Sequence, residues 1–134
     1  MSQENVDLVR AFYSEAREGA WVAAIANRDR VAPDVEFDLS AVYPDAPLIR
    51  GFDRVIRWAD SGPRGRSVKL EAERVLEIDD ERVLVLVKVT AKGGESGVPV
   101  EMRDAHELTI RDGSLTRVKV HPDQQKALRD LGPS

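Results

Sequence analysis

From Val98 to Ile110 the chain alternates with a period of two. Met102, Asp104, His106, Leu108 and Ile110 fall on one face of a strand, and Glu101, Arg103, Glu107, Thr109 and Arg111 on the other. A tight turn at Asp112-Gly113, a second strand and a short helix ending near Leu131 follow. Two ionisable side chains, Asp104 and His106, thus share the apolar face, where a charge is costly unless paired or solvated. A wet, ligand-sized cavity inside a small barrel-like fold would account for them. The hairpin register can be predicted from the same pattern. A loop of Asp112-Gly113 alone would put Leu108 opposite Arg117 and Glu107 opposite Val118, mixing core and solvent faces. A longer loop, Arg111-Asp112-Gly113, with the glycine in a left-handed bulge repairs this. It pairs His106 with Val118, Asp104 with Val120, and Glu107 with Arg117, and leaves His121 outside opposite Arg103.

Upstream, the period changes. Val6, Val9, Tyr13 and Ala16 follow helical spacing, widened by Leu8 and Phe12, with Gly19 as the stop. Trp21, Ala24 and Ile25 suggest a second, short helix before Pro33. Val35, Phe37 and Leu39 alternate with acidic residues as a half-buried strand. Ser40 to Ile49 reads as a proline-containing loop, and Phe52 to Ala59 as a third helix broken by Ser61-Gly62-Pro63-Arg64-Gly65. Val68 to Ile78 and Val83 to Ala91 are long strands. The run Val83-Leu84-Val85-Leu86-Val87 is apolar on both faces, so that strand should be covered twice. Lys92 to Gly97 reads as a glycine-rich loop.

Helical segments around one short strand, then four long antiparallel strands, resemble the SnoaL-like branch of the nuclear transport factor 2-like superfamily over nearly the whole length. The likeness rests on Glu4-Asn5-Val6, Gly19, Pro33-Asp34-Val35-Glu36-Phe37, Arg50-Gly51, His106, Asp112-Gly113-Ser114-Leu115 and Asp123 through Leu128. It implies an α+β fold: a cone-shaped, curved antiparallel sheet of cystatin-like type wrapped around three N-terminal helices, commonly a homodimer packed through the sheet. The superfamily includes ketosteroid isomerases, limonene-epoxide hydrolases, polyketide cyclases and non-catalytic binders, so the fold leaves function open. Two departures stand out. Gly19 is followed by Ala20 where relatives usually carry aspartate, and the third helix ends early at Gly62-Pro63. The tyrosine that in ketosteroid isomerases donates to the developing enolate falls, counted from the glycine, on Phe12, with Tyr13 one residue off.

Composition narrows the picture. The 134 residues make a single domain with a net charge of −4 and no cysteine. A nucleic-acid or anionic-membrane partner is therefore not expected, nor disulfide or thiolate chemistry. The first residues lack the pattern of a signal peptide, and a cytoplasmic location is expected. With only two histidines and no metal-ligand spacing, phosphate loop or dinucleotide fingerprint, no metal and no cofactor are expected.

Three acid–base candidates remain. Asp104 and His106 project to one face, where His106 can exchange a proton while Asp104 sets its tautomer. Asp38 lies where the resemblance places a general base, although alternation points it away from Val35, Phe37 and Leu39. An Asp-Arg-Asp arrangement like that of limonene-epoxide hydrolases is disfavoured, because Arg103 and Asp104 are strand neighbours facing opposite ways. Tyr13, Tyr43, Trp58, Met102, Val118 and Val120 are the candidate ligand-contacting residues, with Tyr43 and Trp58 near the mouth. The expected function is binding of a small, largely apolar or carbonyl-containing molecule between helices and sheet. The alternatives are a cofactor-free isomerase, cyclase or epoxide hydrolase using Asp/His chemistry, and a non-catalytic dimerising module. An enzyme should enclose carboxylate and histidine around one space, and a binder should show an apolar cavity. A collapsed module should show His106 packed and fully satisfied, with no cavity beside it.

Overall fold

The structure, a computed structural model, describes residues 2–17, 27–41, 48–60, 68–93 and 98–133. Helix α1 spans Ser2–Ala16, and its stripe of Val6, Val9, Tyr13 and Ala16 is buried as the spacing predicts. A 3₁₀ turn at Arg28–Arg30 leads into β1 (Val31–Asp38). β2 is the pair Ile49–Arg50, followed by α2 (Phe52–Asp60). Then come β3 (Lys69–Glu77), β4 (Arg82–Gly93), β5 (Val98–Arg111), β6 (Ser114–His121) and α3 (Gln124–Leu131). The expected helix around Trp21 to Ile25, and Tyr43, lie outside the described residues, as does the Trp58 side chain.

The strands form one sheet in the order β2-β1-β6-β5-β4-β3. Two expectations change here. The sheet is mixed and unclosed rather than purely antiparallel, because β1 runs parallel to β6. Ile49, which the sequence reads as the end of a loop, pairs with Phe37, and Arg50 pairs with Glu36, so the two form an edge strand. The arrangement is the α+β cone all the same. α1 lies against the inner face, whose valines Val83, Val85, Val87 and Val89 join Leu108, Ile110, Val118 and Val120 in the main core. The outer face buries Leu84, Leu86 and Ala105 beneath Ala127 of α3, with Leu128 and Leu131 packed around them. β4 is thus covered on both sides, as its unbroken apolar run requires.

The predicted β5–β6 register is corrected. The loop is Asp112-Gly113 alone, with both residues at positive φ (52° and 76°), the conformation of a two-residue type I′ hairpin turn. The face mismatch is removed farther along: Thr109 pairs with Arg117 but Ile110 with Leu115, leaving Thr116 as the bulged extra residue. Its hydroxyl donates to the Thr109 carbonyl at 3.2 Å. Beyond the bulge, Leu108 faces Val118 and His106 faces Val120. Face matching was the right constraint, satisfied by a bulge in the strand rather than in the loop.

Candidate functional site

The register sets Asp104, His106 and Leu108 on the inner face, cross-strand from Val87, Val85 and Val83. Opposite them, α1 presents Tyr13, one turn beyond Val9 and 3% exposed. Its phenolic oxygen lies 2.6 Å from His106 Nδ1. On the other side of the ring, His106 Nε2 lies 3.1 Å from Asp104 Oδ1. Three polar side chains thus form a chain through an otherwise apolar interior, running from helix to sheet. The Tyr13 ring is held edge-on by Phe12, with centroids 5.4 Å apart.

The direction of the hydrogen bond follows from charge. Burial, reinforced by the Asp104 carboxylate, pushes the Tyr13 phenol well above its ordinary pKa, so Tyr13 remains a neutral donor. Tyr13 therefore donates to Nδ1, the acceptor nitrogen of the ring, and Nε2, its donor nitrogen, faces Asp104. That contact is close but poorly aligned: Asp104 Oδ1 is fully buried and accepts no hydrogen bond among the described residues. His106 thus has both nitrogens turned toward protein groups, and the acceptor capacity left over belongs to Asp104. Chemically, the chain can offer a ligand a carboxylate acceptor, backed by an imidazole that can share its proton.

Asp38 does not join them. In the parallel β1–β6 ladder Phe37 pairs with Val118 on the inner face, so Asp38, paired with Lys119, points outward. It accepts from the Ser40 hydroxyl at 2.6 Å and the Ser40 N–H at 3.1 Å, and Arg117 Nη2 donates to it at 3.2 Å. The Ser40 hydroxyl, against the effect of burial and with Ser40 N–H, Arg117 and Lys119 assisting, holds its carboxyl below the usual range. Such a group closes a turn and is a poor base at neutral pH. The other candidates divide. Tyr13 is in the polar chain, Val118 and Val120 are buried beside it, and Met102 lies on the same strand face but 50% exposed. Val100, 46% exposed, extends that apolar edge.

A cavity of about 460 Å³ lies between α1 and β3, lined by Arg10, Tyr13, Ser14 and Arg17 on one side and residues 71–76 on the other. It meets the polar chain only at Tyr13. Alternation assigns Glu107 and His121 to the outer face of the sheet. Glu107 is buried on the outer face, where His121 Nε2 lies 2.9 Å from Oε1 and Arg82 Nη1 donates to Oε2 at 3.1 Å. Burial opposes its ionisation, but these two partners together hold its carboxyl below the ordinary range. Alternation alone gives no sign of this, because α3 covers that part of the sheet.

No family model and no curated protein matches the chain. Solved structures do. One is an NTF2-like protein of unknown function from Burkholderia pseudomallei K96243, with 19% identity, 94% of this chain and 95% of that one covered, and a TM-score of 0.67. The fold is that of the nuclear transport factor 2-like proteins. A protein from Jannaschia sp. CCS1 described as a SnoaL-like polyketide cyclase aligns over 97% of this chain and 92% of its own at 18% identity and a TM-score of 0.65. TerC, co-crystallised with polyporic acid, aligns over 96% and 97% at 20% identity and a TM-score of 0.67. At these identities the likeness establishes the NTF2-like architecture, while the chemistry depends on the residues in place. Among the described residues no helix is long and apolar enough to cross a membrane.

Proposed function

We propose that this NTF2-like protein binds a small, largely apolar molecule that carries a hydrogen-bond donor, with Asp104 as the acceptor. The observation that carries this reading is the buried, unbonded Oδ1 of Asp104, on a side chain that is itself 15% exposed and on the strand face that continues through the half-exposed Met102 and Val100. A buried acceptor left unmatched costs about 1–3 kcal/mol, which a ligand O–H or N–H would recover. TerC, of the same fold, has been crystallised with an organic small molecule, which supports the class of occupant. His106 is a supporting group in this reading, because its nitrogens already face Tyr13 and Asp104.

A second reading is a non-catalytic dimerising module, favoured by the same engagement of His106 by protein groups. Paired probes separate the two. 2-Naphthol and 2-methoxynaphthalene share an apolar body, but only the first can donate. The binding reading expects saturable binding of 2-naphthol, followed by its fluorescence, with the ether about tenfold weaker or worse, because a hydrogen bond to a charged acceptor contributes about 1.5–3 kcal/mol. Asp104→Ala should remove the difference. Equal affinity for both probes, or saturation by neither, would overturn the binding reading.

A further inference from the structure

The β5–β6 ladder ends at Ala105–His121, so Asp104 is the first residue of β5 without a β6 partner. From Asp104 toward Val98, β5 is paired only with β4, through Val87↔Asp104 and beyond, so its β6-side edge is open at the residue that carries the carboxylate of the polar chain. The missing strand is replaced by one side chain: Gln124 Nε2 donates to the Asp104 carbonyl oxygen at 2.9 Å. Local chemistry fixes Gln124 in turn. Asp123 caps α3 by accepting from Lys126 N–H, which sets the first helical residue, Gln124, against β5. Ala127, 2% exposed, seats the helix on Leu84, Leu86 and Ala105. His121 and Glu107, bonded beneath the same helix, pin β5 on the far side of His106.

We propose that Gln124 is a positioning residue for Asp104: it stands in for the absent β6 residue on the open edge of β5 and holds the Asp104 backbone so that the carboxylate stays beside His106. The terminal helix, on the outer face, thereby sets the geometry of a site on the inner face. This builds on the reading of Asp104 as the ligand acceptor, but two of its tests need no ligand.

The comparison is between Gln124→Met, which keeps length and helix propensity but loses the donor, and Gln124→Lys, which keeps a donor. Gln125→Met, at an exposed neighbouring position, is the control. In Gln124→Met the amides of Arg103 to Ala105 should exchange about two- to tenfold faster, the range expected for one lost hydrogen bond. The ring nitrogen resonances of His106 should shift, because Asp104 moves relative to Nε2. The 2-naphthol affinity should fall, while Gln124→Lys stays close to wild type in all three. A lower melting temperature in Gln124→Met with unchanged His106 resonances and exchange rates would overturn the proposal, leaving Gln124 a helix anchor only. Changed resonances and exchange with unchanged 2-naphthol affinity would uphold the positioning role and overturn the assignment of Asp104 as ligand acceptor.

Discussion

Replacing Tyr13 with phenylalanine removes one oxygen and little else. The ring stays beside Phe12, so the packing loss is small, but His106 Nδ1 loses the donor 2.6 Å away and is left buried without a partner. Stranding a buried acceptor costs about 1–3 kcal/mol, and the burial of both residues argues for the middle of that range, about 2 kcal/mol. In a chain of 134 residues that loss lowers the melting temperature by about 7 °C. Urea unfolding at constant m-value would measure it, with His106→Leu as the second arm of a double-mutant cycle. In the His106→Leu background the tyrosine hydroxyl is itself stranded, so Tyr13→Phe should there be neutral or stabilising, giving a coupling of about 2 kcal/mol. pH supplies a further check. The folded pKa of Tyr13 is raised, so its contribution is complete below the ordinary tyrosine pKa of about 10 and is lost as pH rises above it, where the unfolded chain releases the proton first. Wild-type stability should fall more steeply than that of Tyr13→Phe in that window. A loss under about 0.5 kcal/mol for Tyr13→Phe in both backgrounds would refute the buried Tyr13–His106 bond.

Asp38→Asn should leave 2-naphthol binding unchanged, because Asp38 points away from the inner face; a loss matching that of Asp104→Ala would contradict its placement. Glu107→Ala should destabilise by about 2 kcal/mol by removing the buried carboxylate that pairs with Arg82 and His121 and leaving those two groups without it, as denaturant midpoints would show. The folded pKa of Glu107 is lowered, so its contribution is present above the ordinary glutamate pKa and lost as acid protonates it below; the gap between wild type and Glu107→Gln should close on acidification. Gly113→Ala should cost about 1 kcal/mol in thermal unfolding, since φ of 76° is unfavourable for a residue with a Cβ; no change would argue against the type I′ turn.

Period-two and helical patterns were enough to locate α1, the third predicted helix, the four long strands and the terminal helix, because burial on one face imposes those periods. The resemblance supplied the cone. The register of β5 and β6 was less legible. Face matching excludes the unbulged pairing, but alternation does not say where the extra residue goes, and Thr116 resembles its polar neighbours. Ile49 and Arg50 form a strand only because Phe37 and Glu36 lie alongside them, a tertiary effect absent from local pattern.

The site was half visible. Asp104 and His106 stood out as ionisable groups on an apolar face, and the structure brings them together. Tyr13 is a candidate contact residue in the sequence, and it is Tyr13 rather than the glycine-counted Phe12 that reaches His106; helix rotation, not sequence offset, decides which aromatic ring meets the sheet. Gln124 and the Arg82–Glu107–His121 cluster carried no local signal. Their roles come from where β6 stops and α3 turns back, contacts between segments far apart in the chain.

The most direct test of the Tyr13–His106–Asp104 chain is a long-range ¹H–¹⁵N spectrum of the histidine rings, recorded for wild type and Tyr13→Phe. His106 should hold its proton on Nε2, toward Asp104, with Nδ1 showing the shift of a hydrogen-bonded acceptor that is lost in Tyr13→Phe. A His106 proton on Nδ1, or a ring signal unmoved by Tyr13→Phe, would contradict the Tyr13–His106–Asp104 chain and with it the site.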